Sequence, residues 1–310
     1  MRNVFSEEIT SIAQKDKRVV LFSGDIGNRL FDNYKRLMSD RFYNCGVAEA
    51  NMISAAAGLA LCGLHPVTYT ITPFITASCY EQIKVDVCYH ELPVVIVGTG
   101  SGLSYAELGA THHACDDISL MRGLPNMSVV CPADIYEVKQ ALRAAMKNDG
   151  PVYIRLGKKG EPKVHENEPD FVIGKGIVLS SGNDVCLIGT GTVLPLVKEA
   201  AEKLAKAGIS TQVISYHTIK PLDNELLKDV FSKFKVIVAV EEHNIIGGLS
   251  SSLSEWLMDQ EQFPPTTKFV RIGIADQFYY KTGKQKQARN YFGLTAENIS
   301  TRALAALGRR

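Results

Sequence analysis

Uninterrupted apolar runs alternate with segments of helical period along the first half of the chain. Arg18-Val19-Val20-Leu21-Phe22-Ser23 and Pro93-Val94-Val95-Ile96-Val97-Gly98 are two such runs, and 66–71, 127–131 and 152–156 repeat the texture. A run that is apolar at every position, rather than at every second one, predicts a parallel strand covered on both faces. Between the runs, helices are predicted at about 3–15, 48–62, 76–90, 116–123 and 134–147. The last of these opens behind Pro132-Ala133-Asp134, a good cap, and stops at Asn148-Asp149-Gly150-Pro151.

From 157 to 172 the texture becomes polar and rich in turn formers, as in Gly157-Lys158-Lys159-Gly160-Glu161-Pro162. This reads as an interdomain connection. Beyond it the alternation restarts, with strands predicted at 184–189, 211–216, 235–240 and 268–272 and helices at 193–207, 223–233 and 248–259. The fold class is therefore α/β, with two doubly wound domains of mostly parallel sheet. The expected boundaries are 1–160 for the first domain, 161–175 for the linker and 176–310 for the second.

Charge narrows the possible partners. The 310 residues carry 34 basic and 33 acidic side chains, a formal net charge of +1. No field of one sign is available to recruit nucleic acid or an anionic membrane. Met1–Glu8 lacks the apolar stretch of a secretory signal, and no uncharged run approaches the length of a membrane span. The seven cysteines form no C-x-x-C pair and no metal-ligand cluster. They read as small buried hydrophobes in a reducing, cytoplasmic compartment.

Glu49 is the most informative ionisable residue. It follows Gly46-Val47-Ala48 and opens a helix of small apolar residues, Ala50-Asn51-Met52-Ile53-Ser54-Ala55-Ala56-Ala57-Gly58. Such a helix can approach other backbones closely, so the carboxyl is expected at a tightly packed, poorly hydrated junction. There desolvation would keep it protonated and able to donate a hydrogen bond. The plainer alternative is that Glu49 only favours the helix N-terminus electrostatically. His112 and His113 ride on a glycine-punctuated segment from Ser101 onward, the kind of loop on which active-site groups sit. No carboxylate or cysteine completes a metal set around the pair.

The ordered set of motifs resembles the thiamine-diphosphate-dependent transketolase family, including enzymes that make 1-deoxyxylulose 5-phosphate. The resemblance rests on Ser23-Gly24-Asp25-Ile26-Gly27, Gly46-Val47-Ala48-Glu49, Thr72-Pro73-Phe74 with Tyr80-Glu81-Gln82, and Gly109-Ala110-Thr111-His112-His113. It continues through Leu120–Asn126, Pro132-Ala133-Asp134, His217–Asp223 and Glu241-Glu242-His243 with Gly247-Gly248-Leu249. It implies a pyrimidine-binding domain followed by a transketolase C-terminal domain. By this resemblance Glu49 hydrogen-bonds the cofactor's aminopyrimidine and activates it, Phe74 stacks on that ring, and Asp25 and Tyr80 lie near it. His112 is implied to face the substrate, with Arg29 and Arg155 at the substrate's distal end. Lys158 is a weaker candidate for the same duty, and the role of His113 is open.

Two departures shape the expectation. The family's diphosphate and magnesium site uses a Gly-Asp-Gly motif with a downstream asparagine, whereas this chain has only Gly24-Asp25-Ile26-Gly27. The resemblance therefore implies one subunit of a split enzyme, with no metal site of its own. Mg2+ and the cofactor's diphosphate would be held by a partner chain, in an α2β2 heterotetramer with the active site between subunits. In addition, an aspartate and a histidine found in pentose-phosphate enzymes correspond here to Leu108 and a position near Gly100, which suits a modified, branched or differently charged sugar. The alternatives are the β subunit of a 2-oxo acid dehydrogenase, a 1-deoxyxylulose-5-phosphate-synthase-like enzyme, and a noncatalytic scaffold. The loop Glu241–Gly248 is expected to serve subunit assembly.

Overall fold

A computed structural model describes residues 1–27, 29–261 and 267–309. Among these residues twelve strands form two sheets. In chain order the first part holds α1 (Arg2–Lys15), β1 (Val19–Ser23), α2 (Asp32–Leu37), β2 (Phe42–Asn44), α3 (Glu49–Leu61) and β3 (His65–Ile71). There follow α4 (Thr72–Ile75), α5 (Tyr80–Gln82), β4 (Val95–Thr99), α6 (Asp117–Arg122), β5 (Ser128–Val130), α7 (Ile135–Ala145) and β6 (Val152–Leu156). The second part holds β7 (Ile177–Ser180), β8 (Val185–Gly189), α8 (Leu194–Lys206), β9 (Thr211–Ser215), β10 (Thr218–Lys220) and α9 (Asn224–Lys233). It ends with β11 (Val236–Asn244), α10 (Leu249–Met258), β12 (Lys268–Ile274), α11 (Gln285–Tyr291) and α12 (Ala296–Leu307).

The seven-stranded sheet runs β10-β5-β6-β4-β3-β1-β2 and the five-stranded sheet β12-β11-β8-β9-β7. All pairings are parallel except β10 with β5 and β7 with β9. The continuous apolar runs are buried at every position in β1, β3, β4, β6 and β8, as burial of both faces requires. β10 departs from the sequence expectation. Lying in the His217–Asp223 segment assigned to the second part, it crosses over and adds an antiparallel strand to the first sheet.

The connection after β6 is fastened by Asp134. One carboxylate oxygen accepts from Tyr136 N and Glu137 N at the start of α7, at 2.9 and 3.0 Å. The other accepts from Val164 N and His165 N at 2.8 and 2.9 Å. A single N-cap therefore starts a helix and holds the connecting segment against it. Nearby, His217 is fully buried beneath Phe171, ring centroids 3.8 Å apart, with Thr218 Oγ1 2.8 Å from its Nδ1.

The cysteines split. Cys79, Cys88, Cys131 and Cys186 are buried as expected, but Cys45 and Cys115 are half-buried and Cys62 is exposed. No helix among the described residues is long and apolar enough to cross a membrane.

Burial pushes the His217 imidazole from its ordinary 6.5 down to about 4. Between those values the unfolded chain holds a proton that the folded chain refuses, so folding stability falls as pH drops from about 6.5 to 4. We expect a His217→Phe variant to lose stability less steeply than the parent in this window, by about 1.4 kcal/mol per pH unit. Urea unfolding midpoints at half-unit pH steps measure the difference, and parallel curves would refute the assignment.

Candidate active site

Three adjacent strands, β1, β3 and β4, run parallel and end on one edge of the first sheet. In α/β sheets that edge is where ligands bind. β1 delivers Gly24 and Asp25, β3 leads into α4 with Phe74, and β4 leads into the loop that carries His112.

Glu49 is the first residue of α3 and is half-buried. Its carboxylate faces Gly24, where an added Cβ would stand 3.3 Å from Glu49 Oε1 and 2.6 Å from Thr70 Oγ1. Gly24 thus keeps a small polar cradle open between the carboxylate and the threonine. Thr70 is fully buried, and its hydroxyl has no hydrogen-bond partner among the described residues. Sequence reasoning missed this threonine, because it lies inside an apolar strand. The carboxyl itself is less enclosed than expected, being half-exposed rather than sealed in a dry junction. Beside it, Cys79 is pushed up to about 12 by burial and then by the Glu49 charge. The Cys79 thiol donates to Phe74 O at 3.2 Å.

Asp25 is exposed, and its backbone N–H donates to Gly46 O at 3.0 Å, tying the end of β1 to the turn that leads into Glu49. Asn44 Nδ2 donates to its carboxylate at 3.4 Å. Phe74 is half-buried and meets the half-buried His112 edge-on, centroids 5.1 Å apart. Tyr105 approaches His112 from another side at 6.1 Å, and Thr111 Oγ1 lies 3.0 Å from His112 Nδ1. Partial burial, followed by the neighbouring His113, lowers the His112 pKa from its usual 6.5, so the ring is neutral near pH 7.

Lys158 completes this cluster. Its Nζ lies 4.4 Å from the centre of the Tyr105 ring and 2.6 Å from Glu107 Oε1. The lysine's hydrogen bond holds the Glu107 carboxyl below its usual range. Gly100 has φ +85°, and a Cβ there would collide with the Tyr105 ring. The tyrosine thus takes the space a side chain at 100 would need. Leu108 is half-exposed next to Glu107. Tyr105 and Glu107 carry no signal in the sequence, since only the flanking glycines mark their loop.

The remaining candidates lie elsewhere. Arg155 is 2% exposed and donates from Nε to Asp117 at 2.7 Å and from Nη2 to Ala114 O and Glu242 O at 2.8 and 3.0 Å. An arginine committed in this way braces the interior, which corrects the expectation that it grips a substrate. Arg29 is exposed beside a cavity of about 250 Å3 that it lines with Asn3, Ser6, Glu7 and Asn33. Tyr80 is half-buried against the core, its hydroxyl by Gly123 at the end of α6. His113 is buried, with Nε2 3.2 Å from Ala106 O. No group of three metal-ligating side chains occurs among the described residues.

Glu241, Glu242 and His243 also differ from the expected assembly loop, for their side chains serve this chain. Glu241 accepts from Leu249 N and Ser250 N at 2.6 and 2.9 Å and so caps α10. Gly248 is required there because a Cβ would run into the Glu241 carboxylate.

Residues 1–162 match the transketolase pyrimidine-binding domain and residues 174–299 the transketolase C-terminal domain. The chain belongs to the transketolase family, as a chain of the kind that split transketolases contain. It is 40% identical over 266 residues to one subunit of the apulose-4-phosphate transketolase of Actinobacillus succinogenes, covering 86% of this chain and 85% of the relative. It is 34% identical over 300 residues to a 6-deoxy-6-sulfo-D-fructose transketolase subunit of Clostridium sp. (strain MSTE9), covering 96% and 92%. Among solved structures, a split-gene transketolase described as an inactive β4 tetramer superimposes with a TM-score of 0.90. That structure is 33% identical and covers 99% of this chain and 98% of its own.

The buried Arg155–Asp117 pair gives a test of its structural role. Asp117 also accepts from Tyr153 Oη at 2.7 Å, so removing it strands a buried cation and a buried hydroxyl. Asp117→Ala is expected to cost about 3–5 kcal/mol of folding stability in urea titrations. A loss below about 1 kcal/mol would contradict the bracing role.

Proposed function

We propose that this chain is the half of a thiamine-diphosphate-dependent transketolase that supplies the cofactor-activating carboxyl and the substrate-facing loop. The reading rests above all on one juxtaposition: the Glu49 carboxylate beside the Thr70 hydroxyl, which has no partner among the described residues, in the cradle kept open by Gly24. A buried hydroxyl left without a partner is costly unless a ligand satisfies it. The donor set suits an aminopyrimidine, a flat ring with polar nitrogens. Glu49 would hydrogen-bond a ring nitrogen, Phe74 would offer an aromatic face, and Asp25 would lie near it. When bound, the cofactor supplies an acidic carbon and an electron sink for cleavage of a carbon–carbon bond next to a carbonyl.

The reaction proposed moves a two-carbon ketol unit from a ketose to an aldose. The donor's C2–C3 bond breaks, and the C3 hydroxyl loses its proton as the shortened fragment forms its carbonyl. At the acceptor a new bond forms to C1, and the former carbonyl oxygen takes a proton. His112, neutral near pH 7 and edge-on to Phe74, is the group proposed to take and return that proton. Lys158 assumes the anion-binding duty first expected of Arg155, since its ammonium lies over the Tyr105 ring, whose own neighbour is His112. The tyrosine over Gly100 and the half-exposed Leu108 make that part of the mouth less polar than a histidine and an aspartate would. This favours a deoxy, branched or otherwise modified ketose bearing an anionic group. The substrates named for the two relatives are of that kind.

The partner proposed is a chain carrying the diphosphate-binding domain and its Mg2+, in an α2β2 assembly. Glu49 is only half-enclosed here, and Val47 beside it is 88% exposed. Both would be covered by another chain. The relative assembled as a β4 tetramer is described as inactive, in keeping with a half-site.

The test mixes this chain with a diphosphate-domain chain and screens ketoses, including apulose 4-phosphate and 6-deoxy-6-sulfofructose, against glyceraldehyde 3-phosphate. A carbonyl product two carbons shorter than the donor, an aldose or, from a donor branched at C3, a ketone, is expected without carbon dioxide. Glu49→Gln should assemble normally yet lose about 10²–10⁴-fold in kcat. Full activity in that variant would sink the reading, and carbon dioxide released from a 2-oxo acid would replace it with the dehydrogenase alternative.

A further inference from the structure

The loop that carries His112 is held at its departure by the end of β6, through Ser101 N to Leu156 O at 2.9 Å, and further along mainly by the second sheet. It leaves β4 at Gly100 and returns at Cys115, and its two ends are bridged by Gly102 N to Ala114 O at 3.0 Å and Ala114 N to Gly102 O at 2.9 Å. The tip from Glu107 to His112 is largely exposed, whereas Leu103 and Ala106 are buried in the core of the second sheet. A loop stapled at its base and open at its tip takes its position from whatever grips the staple.

That grip is Glu242 on β11, 1% exposed and far from Glu49 in sequence. Its Oε1 accepts from Leu103 N at 2.7 Å and from Gln285 Nε2 at 2.9 Å. Its Oε2 accepts from Arg289 Nε at 2.7 Å, from Arg289 Nη2 at closer range, and from Thr192 Oγ1 at 3.4 Å. Gln285 Nε2 also reaches Ser104 Oγ at 3.2 Å, so α11 touches the loop both directly and through the carboxylate. Gly102 has φ +59°, and a Cβ there would fall 2.7 Å from Glu242 Cγ, which lets the loop backbone lie directly on this side chain. The return end is tied separately, by Asn244 N to Cys115 O at 2.7 Å and by Arg155 to Ala114 O.

We propose that Glu242 is a positioning residue, through which β11 and α11 of the second sheet set the place of His112 in the first. The proposal rests on the reading that His112 meets the substrate. It requires both carboxylate oxygens as acceptors. An amide presents one acceptor and one donor, so in Glu242→Gln either the Leu103 tie or the Arg289–Thr192 side is lost, whichever way the amide faces. Displacing a reacting group by about 1 Å can cost about 10²-fold in rate, so a loosened staple would be visible in turnover although Glu242 touches no substrate.

The experiment uses the assembled two-chain enzyme with Glu242→Gln and, as a milder lesion outside the ion pair, Gln285→Ala. Amide hydrogen exchange read by mass spectrometry should accelerate across 101–115 and stay unchanged in the strands of both sheets. The ratio kcat/KM should fall about 10- to 100-fold, with thiamine diphosphate affinity unaltered. In a His112→Ala background the Glu242→Gln change should cost nothing further, because both act through one group. Unchanged exchange in the loop would overturn the proposal. So would acceleration spread over the whole second sheet, or losses that multiply in the double variant. Loosened exchange together with full activity of His112→Ala would keep the positioning role and sink the reading of His112.

Discussion

Three parallel strands that end side by side impose the constraint on which the candidate site depends. β1, β3 and β4 are locked in register by their ladders, and each is buried along its whole length. Residues just past their ends therefore converge without any further device: Gly24 and Asp25 from β1, Phe74 from α4, the His112 loop from β4. α3 then needs only to begin where the turn after β2 returns to that edge, and Asp25 N to Gly46 O fixes this return. The small side chains of α3 follow from the same constraint. Its inner face packs against the sheet, and the middle of its outer face, with Ser54, Ala55 and Gly58, carries only small side chains.

Sequence pattern conveyed most of the scaffold, because a strand buried on both faces writes an unbroken apolar run. The prediction at 152–156 coincides with β6, and those near β1, β3, β4 and β8 shift by one or two residues. The unread elements have physical reasons. β2 and β10 are three-residue strands whose pairing is decided by the neighbouring ladder, and β7 alternates half-buried with exposed positions at a sheet edge. α11 and α12, beyond the last predicted strand, were not anticipated at all.

The chemistry was legible to a lesser degree. Glu49 and His112 stood out because each is an ionisable group in a setting of small residues or glycines. Arg155 was misjudged because an arginine on a strand can point to solvent or inward, and its partner Asp117 lies 38 positions earlier on another element. Thr70 and Tyr105 were invisible, and Glu242 was read only as part of a motif, for the same reason: their importance comes from tertiary neighbours. Tyr105 matters through Gly100 and Lys158, and Glu242 through Leu103 and Arg289. Such dependence is usual where a site is built across packed elements rather than within one motif.

The proposal that this chain holds half of a cofactor site is open to one simple experiment, calorimetric titration of thiamine diphosphate with Mg2+. The titration is run into this chain alone and into its mixture with a diphosphate-domain chain. Heat of binding is expected only after mixing, as it would be with the pyrimidine beside Glu49 and the diphosphate and metal ligands supplied in trans. Tight, magnesium-dependent binding by this chain alone would contradict it.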